Sequence, residues 1–177
     1  MPRLFIGIKI SKELQKKLKS YLPKANENIK LIPTQNYHIT LDFIGEVDDL
    51  KTEKISKILD ICQVKSFTLN LNHSGSFNYK KQGKILWLGV EANALLLELK
   101  TSITAALAKE NVRPPKKSYR PHITIAKIRN KRLFNNSLWS KNINVLESFL
   151  VKEFSLFYST ITDKGVIYRR IKNYPLL

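Results

Sequence analysis

Cysteine occurs once in this chain, at Cys62, which excludes an internal disulfide and a cysteine-rich metal centre. Cys62 falls on the apolar side of an expected helix, with Ile55, Ile58 and Leu59, and reads as a buried core thiol. No apolar run approaches the roughly 20 residues needed to span a bilayer. The opening Met1-Pro2-Arg3-Leu4-Phe5-Ile6 lacks the basic start, long apolar stretch and small-residue cleavage site of a secretion signal. A cytoplasmic protein with no membrane partner is expected. Acidic residues are scarce, 14 against 31 lysines and arginines, which leaves a formal net charge of +17. Such an excess draws in polyanions and makes their binding salt-sensitive. Part of it is an ordinary solvated helix face, carried by Lys12, Lys16, Lys17 and Lys19.

What is present is a globular composition: 177 residues, 43% hydrophobic and 10% aromatic, enough for one domain or two small fused lobes. A strand is expected over 3–10. Ser11 then caps a helix over 12–22, with Leu14, Leu18, Tyr21 and Leu22 as its buried stripe and Pro23 as its stop. A strand over 37–44 closes at Gly45, and Asp48 and Asp49 cap a second helix running to about Cys62. Phe67, Leu69 and Leu71 alternate in a further strand, followed by a turn-rich basic segment over 75–83 and an apolar strand over 85–90. Asn93 caps the longest helix, from 94 to about 111, which Pro114 and Pro115 end. Strand character returns over 120–128, helical character is weak over 131–141, and strands over 154–161 and 166–171 flank the turn Thr162-Asp163-Lys164-Gly165. Strands interleaved with helices and closing on a hairpin indicate an α+β or α/β chain with a mostly antiparallel sheet.

Only three histidines occur, and two of them stand in matched contexts: His38-Ile39-Thr40-Leu41 and His122-Ile123-Thr124-Ile125. Period-2 geometry puts the His and Thr of each copy on one strand face and the apolar pair on the other. The two copies lie in halves of similar content, which points to an internal duplication. Two imidazoles brought to one site can divide proton labour, one accepting while the other donates. A phosphodiester suits such a pair, because its hydrolysis needs an activated nucleophile, a protonated leaving oxygen and stabilised anionic charge. The threonine hydroxyls can hold the nonbridging oxygens. A metal site is the weaker reading: strict alternation puts Asp42 on the face of His38 and Thr40, but no carboxylate or cysteine set completes it. His73, before Ser74-Gly75, reads as a surface loop residue.

The flanks of both motifs resemble a known family. Arg3-Leu4-Phe5-Ile6, the run from Tyr37 through Phe43-Ile44-Gly45-Glu46-Val47, Ile85-Leu86-Trp87-Leu88-Gly89-Val90 and Tyr119-Arg120-Pro121-His122-Ile123-Thr124-Ile125-Ala126 together resemble the 2H phosphoesterase superfamily. Within it they are similar to the prokaryotic RNA 2′,3′-cyclic phosphodiesterases, historically called 2′-5′ RNA ligases. The resemblance implies one bilobed α+β domain over 1–177, with two mostly antiparallel sheets facing a central cleft, helices outside and a pseudo-twofold axis. It also implies metal-independent opening of a terminal ribose 2′,3′-cyclic phosphate to a 2′-phosphate, with no cofactor. The expected partner is RNA with such an end, tRNA fragments or small nucleotides included, met by a monomer.

On that resemblance His38 donates a proton to the departing 3′ oxygen, His122 activates water, and Thr40 and Thr124 hold the phosphate. The family often has arginine five residues after the second motif histidine. Here that place is Lys127, with Arg129 two further on, and strict alternation turns Lys127 away from His122 unless a bulge intervenes. Lys127 and Arg129 are therefore phosphate-contact candidates, and Arg120 is either a substrate contact or a structural ion pair. Tyr37 and Tyr119 could stack on a base, as could Phe5, which reads better as core. The competing readings are RNA ligation through a 2′-5′ bond and a basic RNA-binding module without turnover.

Overall fold

Apolar runs and apolar–polar alternation build nine strands in the computed structural model, which describes residues 3–114, 118–135, 139, 145–163 and 165–177. In chain order they are β1 Arg3–Lys9, β2 Ile29–Leu31, β3 His38–Glu46, β4 Phe67–Tyr79, β5 Gly83–Val90, β6 His122–Ile128, β7 Glu147–Val151, β8 Glu153–Thr162 and β9 Gly165–Pro175. The helices are α1 Lys12–Leu18, α2 Asp49–Ile58 and α3 Ala94–Lys109. Ser11, Asp48 and Asn93 cap them as expected, each accepting from a backbone N–H three residues on, an arrangement worth about 1 kcal/mol apiece. The first two helices are shorter than their apolar stripes suggest, because their last turns tighten into 3₁₀ geometry at Lys19–Tyr21 and Leu59–Ile61.

The basic segment over 75–83, expected as turns, is strand for most of its length. β4 runs on to Tyr79 and pairs with β5 from Leu71↔Val90 to Tyr79↔Gly83. β2 and β7 appear where no strand was expected. At the last hairpin Gly165 has φ +131°, backbone that L side chains rarely adopt, and Lys164 lies outside the described residues. So do Pro115, Lys116, Lys117 and, within the weakly helical segment, residues 136–138, 140 and 141; its described part holds a 3₁₀ turn at Lys131–Leu133.

The strand order is β7-β4-β5-β6-β3-β1-β8-β9, with β2 also pairing β6. All the described pairings are antiparallel. The order places four strands on each side of the β6–β3 junction. The two sheets implied by the resemblance are thus halves of one, joined edge to edge where β3 and β6 meet at Ile39↔Ile123. The core lies on the face of these isoleucines, under α3, whose Leu96, Leu99, Ile103 and Leu107 are buried with Leu41, Ile125 and Cys62. Full burial of each such side chain contributes about 1.5–3 kcal/mol. Among the described residues no helix is long and apolar enough to cross a membrane.

Candidate active site

The junction between the halves is also where the motifs meet. Ile39 stands opposite Ile123 in an antiparallel pair, so the residues flanking each isoleucine share the opposite face. His38, Thr40, His122 and Thr124 accordingly lie on one face, all half-buried. By register His38 faces Thr124 and Thr40 faces His122, which leaves the two histidines on a diagonal. Diagonal neighbours of this kind are roughly 7–8 Å apart, a span that one phosphate can fill.

Both imidazoles are held in the same tautomer. The Nδ1–H of His38 donates to the carbonyl of Asn36 at 2.7 Å, and that of His122 donates to the carbonyl of Arg120 at 2.6 Å. A carbonyl can only accept, so Nδ1 carries the proton and Nε2 faces the site. Thr40 Oγ1 lies 3.1 Å from His38 Nε2, donating to it while the ring is neutral. Protonation of the ring reverses that bond and releases the threonine O–H for an anion. Burial lowers the pKa of both histidines against the opposing pull of the carbonyls, and the charge of His122 lowers that of His38 further. The two rings are close enough to feel each other.

Strict alternation fails at the same place in both strands. Asp42 pairs with Ile6 and Thr40 with Gly7, so Leu41 is an inserted residue. Ala126 pairs with Leu86 and Thr124 with Trp87, so Ile125 is inserted in β6. The bulges correct two sequence expectations. Asp42 does not share the face of His38 and Thr40; it is buried, and Lys100 Nζ of α3 donates to its Oδ2 at 2.5 Å and to Thr104 Oγ1 at 2.7 Å. Lys127 does lie on the face of His122 and Thr124, with its ammonium 5.4 Å from the centre of the Tyr79 ring. Phe43, the matching position in β3, comes to the same face and is exposed.

The other expected contacts separate. Tyr37 is fully buried in the core, with burial pushing its hydroxyl pKa up to about 12, and has no ring face open to a base. Phe5 is buried too and packs on His38. Arg129 is exposed just past the end of β6, roughly 20 Å along the strand from His122. Tyr119 and Arg120 line a cleft of about 830 Å³ together with Thr40, Phe43, Lys100 and His122, a volume in the range of nucleotide-sized sites. Burial and the charge of Asp42 raise the pKa of Tyr119 and keep its phenol neutral. No ion pair of Arg120 occurs among the described residues. Sequence reasoning missed Tyr168, whose ring stands edge-on to His38 with centroids 4.9 Å apart, and Phe77, edge-on to His122 at 5.0 Å. Both are brought in by strands outside the motifs. Among the described residues no group of three or more His, Cys, Asp or Glu is placed to hold a metal ion.

The family profile of the 2′-5′ RNA ligase superfamily matches residues 10–158. The chain is 28% identical to the RNA 2′,3′-cyclic phosphodiesterase of Methanocaldococcus jannaschii, over 97% of this chain and 99% of that one. It is 24% identical to the protein of that name from Escherichia coli, over 98% and 96%. Among solved structures, Escherichia coli LigT complexed with 3′-AMP superposes with a TM-score of 0.80 at 24% identity, covering 99% of both chains. A Thermus thermophilus protein superposes with a TM-score of 0.81 at 22% identity, covering 98% of this chain and 97% of that one. These superpositions establish a shared fold.

Proposed function

The chain belongs to the 2′-5′ RNA ligase superfamily, and on that footing we propose that it hydrolyses the terminal 2′,3′-cyclic phosphate of RNA to a 2′-phosphate. One observation carries the reading: the Ile39↔Ile123 pairing sets two histidines and two threonines on one face beside a nucleotide-sized cleft. The names borne by the relatives support the same chemistry.

In the proposed reaction His122 Nε2 takes a proton from water as its oxygen attacks phosphorus. The bond from phosphorus to the 3′ oxygen breaks, and protonated His38 Nε2 gives its proton to that oxygen. The product holds a 2′-phosphomonoester and a free 3′-hydroxyl. Thr40 and Thr124 donate to the nonbridging oxygens, where charge builds in the transition state. Thr40 is well suited, because the protonation that arms His38 as an acid also turns the Thr40 O–H toward an acceptor. Each acid/base group supplies about 10²–10⁴-fold, and no step requires a metal. Lys127 adds positive charge to the His122 side of the face without the bidentate fork of arginine.

The test is a short RNA ending in 2′,3′-cyclic phosphate, incubated with EDTA and analysed by chromatography. A 2′-phosphate product that needs both His38 and His122 supports the reading. Full activity in either alanine variant, or dependence on an added metal, overturns the mechanism. Adding an RNA with a 5′-hydroxyl to the same assay separates hydrolysis from joining.

A further inference from the structure

The third histidine is not on a surface loop. It sits in β4, where Leu71 pairs with Val90 and His73 with Gly89, so Asn72 is an inserted residue. Without the insertion His73 would follow Phe67, Leu69 and Leu71 into the core; with it, His73 shares the face of Phe77 and His122. Gly89 pairs with His73 on one side and with His122 on the other. The three residues therefore form a row across adjacent strands, with the outer Cα atoms about 10 Å apart. A Cβ at Gly89 would collide with His73 Nε2, so the imidazole lies over the glycine, in the gap between itself and His122. The Nδ1–H of His73 donates to Asn72 Oδ1 at 2.6 Å, which leaves Nε2 as the nitrogen available to a ligand.

This row borders a pocket of about 490 Å³ that His73, Phe77, Trp87, Leu97, Arg120 and His122 help to line. Its walls are aromatic and apolar: Trp87 stands edge-on to His73 with ring centroids 5.5 Å apart, and Leu97 is 51% exposed. Trp87 Nε1 and the Tyr119 hydroxyl are buried with no hydrogen-bond partner among the described residues. An apolar slot with aromatic walls and a few polar atoms matches a nucleobase, which offers a flat face and a polar edge.

We propose that this pocket holds the nucleobase of the nucleotide that carries the cyclic phosphate, with His73 Nε2 contacting the edge of the base. The inference rests on the phosphodiesterase reading above. In the cyclic ester C2′ carries a phosphate oxygen, and the neighbouring C1′ carries the base. The base is thus held one ribose away from a phosphate shared by the two histidines; the hollow beside His38 is only about 60 Å³, and the pocket of about 490 Å³ beside His122 has room for it.

The test compares adenosine 2′,3′-cyclic phosphate with the base-free methyl riboside 2′,3′-cyclic phosphate. His73→Ala should raise KM for the adenosine substrate about tenfold, the worth of one good polar contact, with kcat nearly unchanged and the base-free substrate unaffected. Gly89→Ala, which displaces the His73 ring, should reproduce that loss and add nothing to His73→Ala. Equal effects on the two substrates, no effect on either, or additive losses in the double variant overturn the inference. Calorimetric binding of adenosine 2′-monophosphate reads the pocket without turnover. If the wild type turns over neither substrate yet binds this nucleotide in a His73-dependent way, the pocket stands and the phosphodiesterase reading falls.

Discussion

His38 and His122 occupy equivalent positions in the two halves, with the same tautomer fixed by the same kind of backbone carbonyl. Their surroundings differ. His38 is boxed by Phe5 and Tyr168, holds Thr40 on its Nε2, and borders a hollow of only about 60 Å³. His122 borders cavities of about 830 and 490 Å³. The matched bulges carry the same contrast, bringing an exposed phenylalanine to the site face in β3 and a lysine in β6. The halves present like imidazoles and differ in the walls around them. The matched pair of imidazoles thereby has a sheltered side and an open side.

The contrast can be broken most strongly at the histidines themselves. His38→Ala and His122→Ala should each lower kcat on a cyclic-phosphate RNA by about 10²–10⁴-fold. The double variant should lose far less than the product of the two, since both groups act in one step. Stopped assays with an EDTA-treated sample check this.

Next in size is the strut between halves. Lys100 of α3 and Asp42 of β3 form a buried ion pair. Lys100→Met leaves the carboxylate buried without its partner and should cost about 3–5 kcal/mol in urea denaturation. Replacing Asp42 by leucine in that background should recover most of the loss.

A pH profile tells the two histidines apart without removing either. Both pKa values lie below the ordinary histidine value, so kcat/KM should peak on the acid side of about pH 6.5. Tyr168→Ala should open the His38 side to water and raise the pKa of that group alone, moving one limb of the profile and leaving the other. Stability follows the same shifts. Between the folded pKa values and about 6.5 the unfolded chain binds more protons than the folded one, so stability is greatest above that range and falls as pH drops through it.

The smallest expected effect is at the bulge position. Lys127→Ala should lower kcat/KM on RNA about fivefold, the worth of one exposed ionic contact, and flatten its salt dependence. Steady-state rates at several salt concentrations measure both.

The face of each motif was legible in the sequence because period-2 alternation needs only local spacing: His38 with Thr40 and His122 with Thr124 share a face whatever the rest of the chain does. That the two faces are one face depends on Ile39 meeting Ile123, a long-range pairing with no local signature beyond the repeat itself. The inserted residues at Leu41, Asn72 and Ile125 were not legible, since a bulge arises from pairing with a neighbouring strand. Each one flips the residues beyond it, which is why alternation misplaces Asp42 and Lys127; His73 reads as a loop residue because Ser74-Gly75 carries a turn signal. β2 was missed because three residues, Ile29–Leu31, carry too little pattern to register. Helix starts were legible because Ser11, Asp48 and Asn93 act within one turn.

Histidine ring resonances followed by NMR during titration with adenosine 2′-monophosphate test most directly whether the two motifs share one phosphate. One bound equivalent should raise the pKa of both His38 and His122, because a single anion then stabilises both imidazolium ions. A shift confined to one of the two rings, or shifts that saturate at different stoichiometries, would contradict the account.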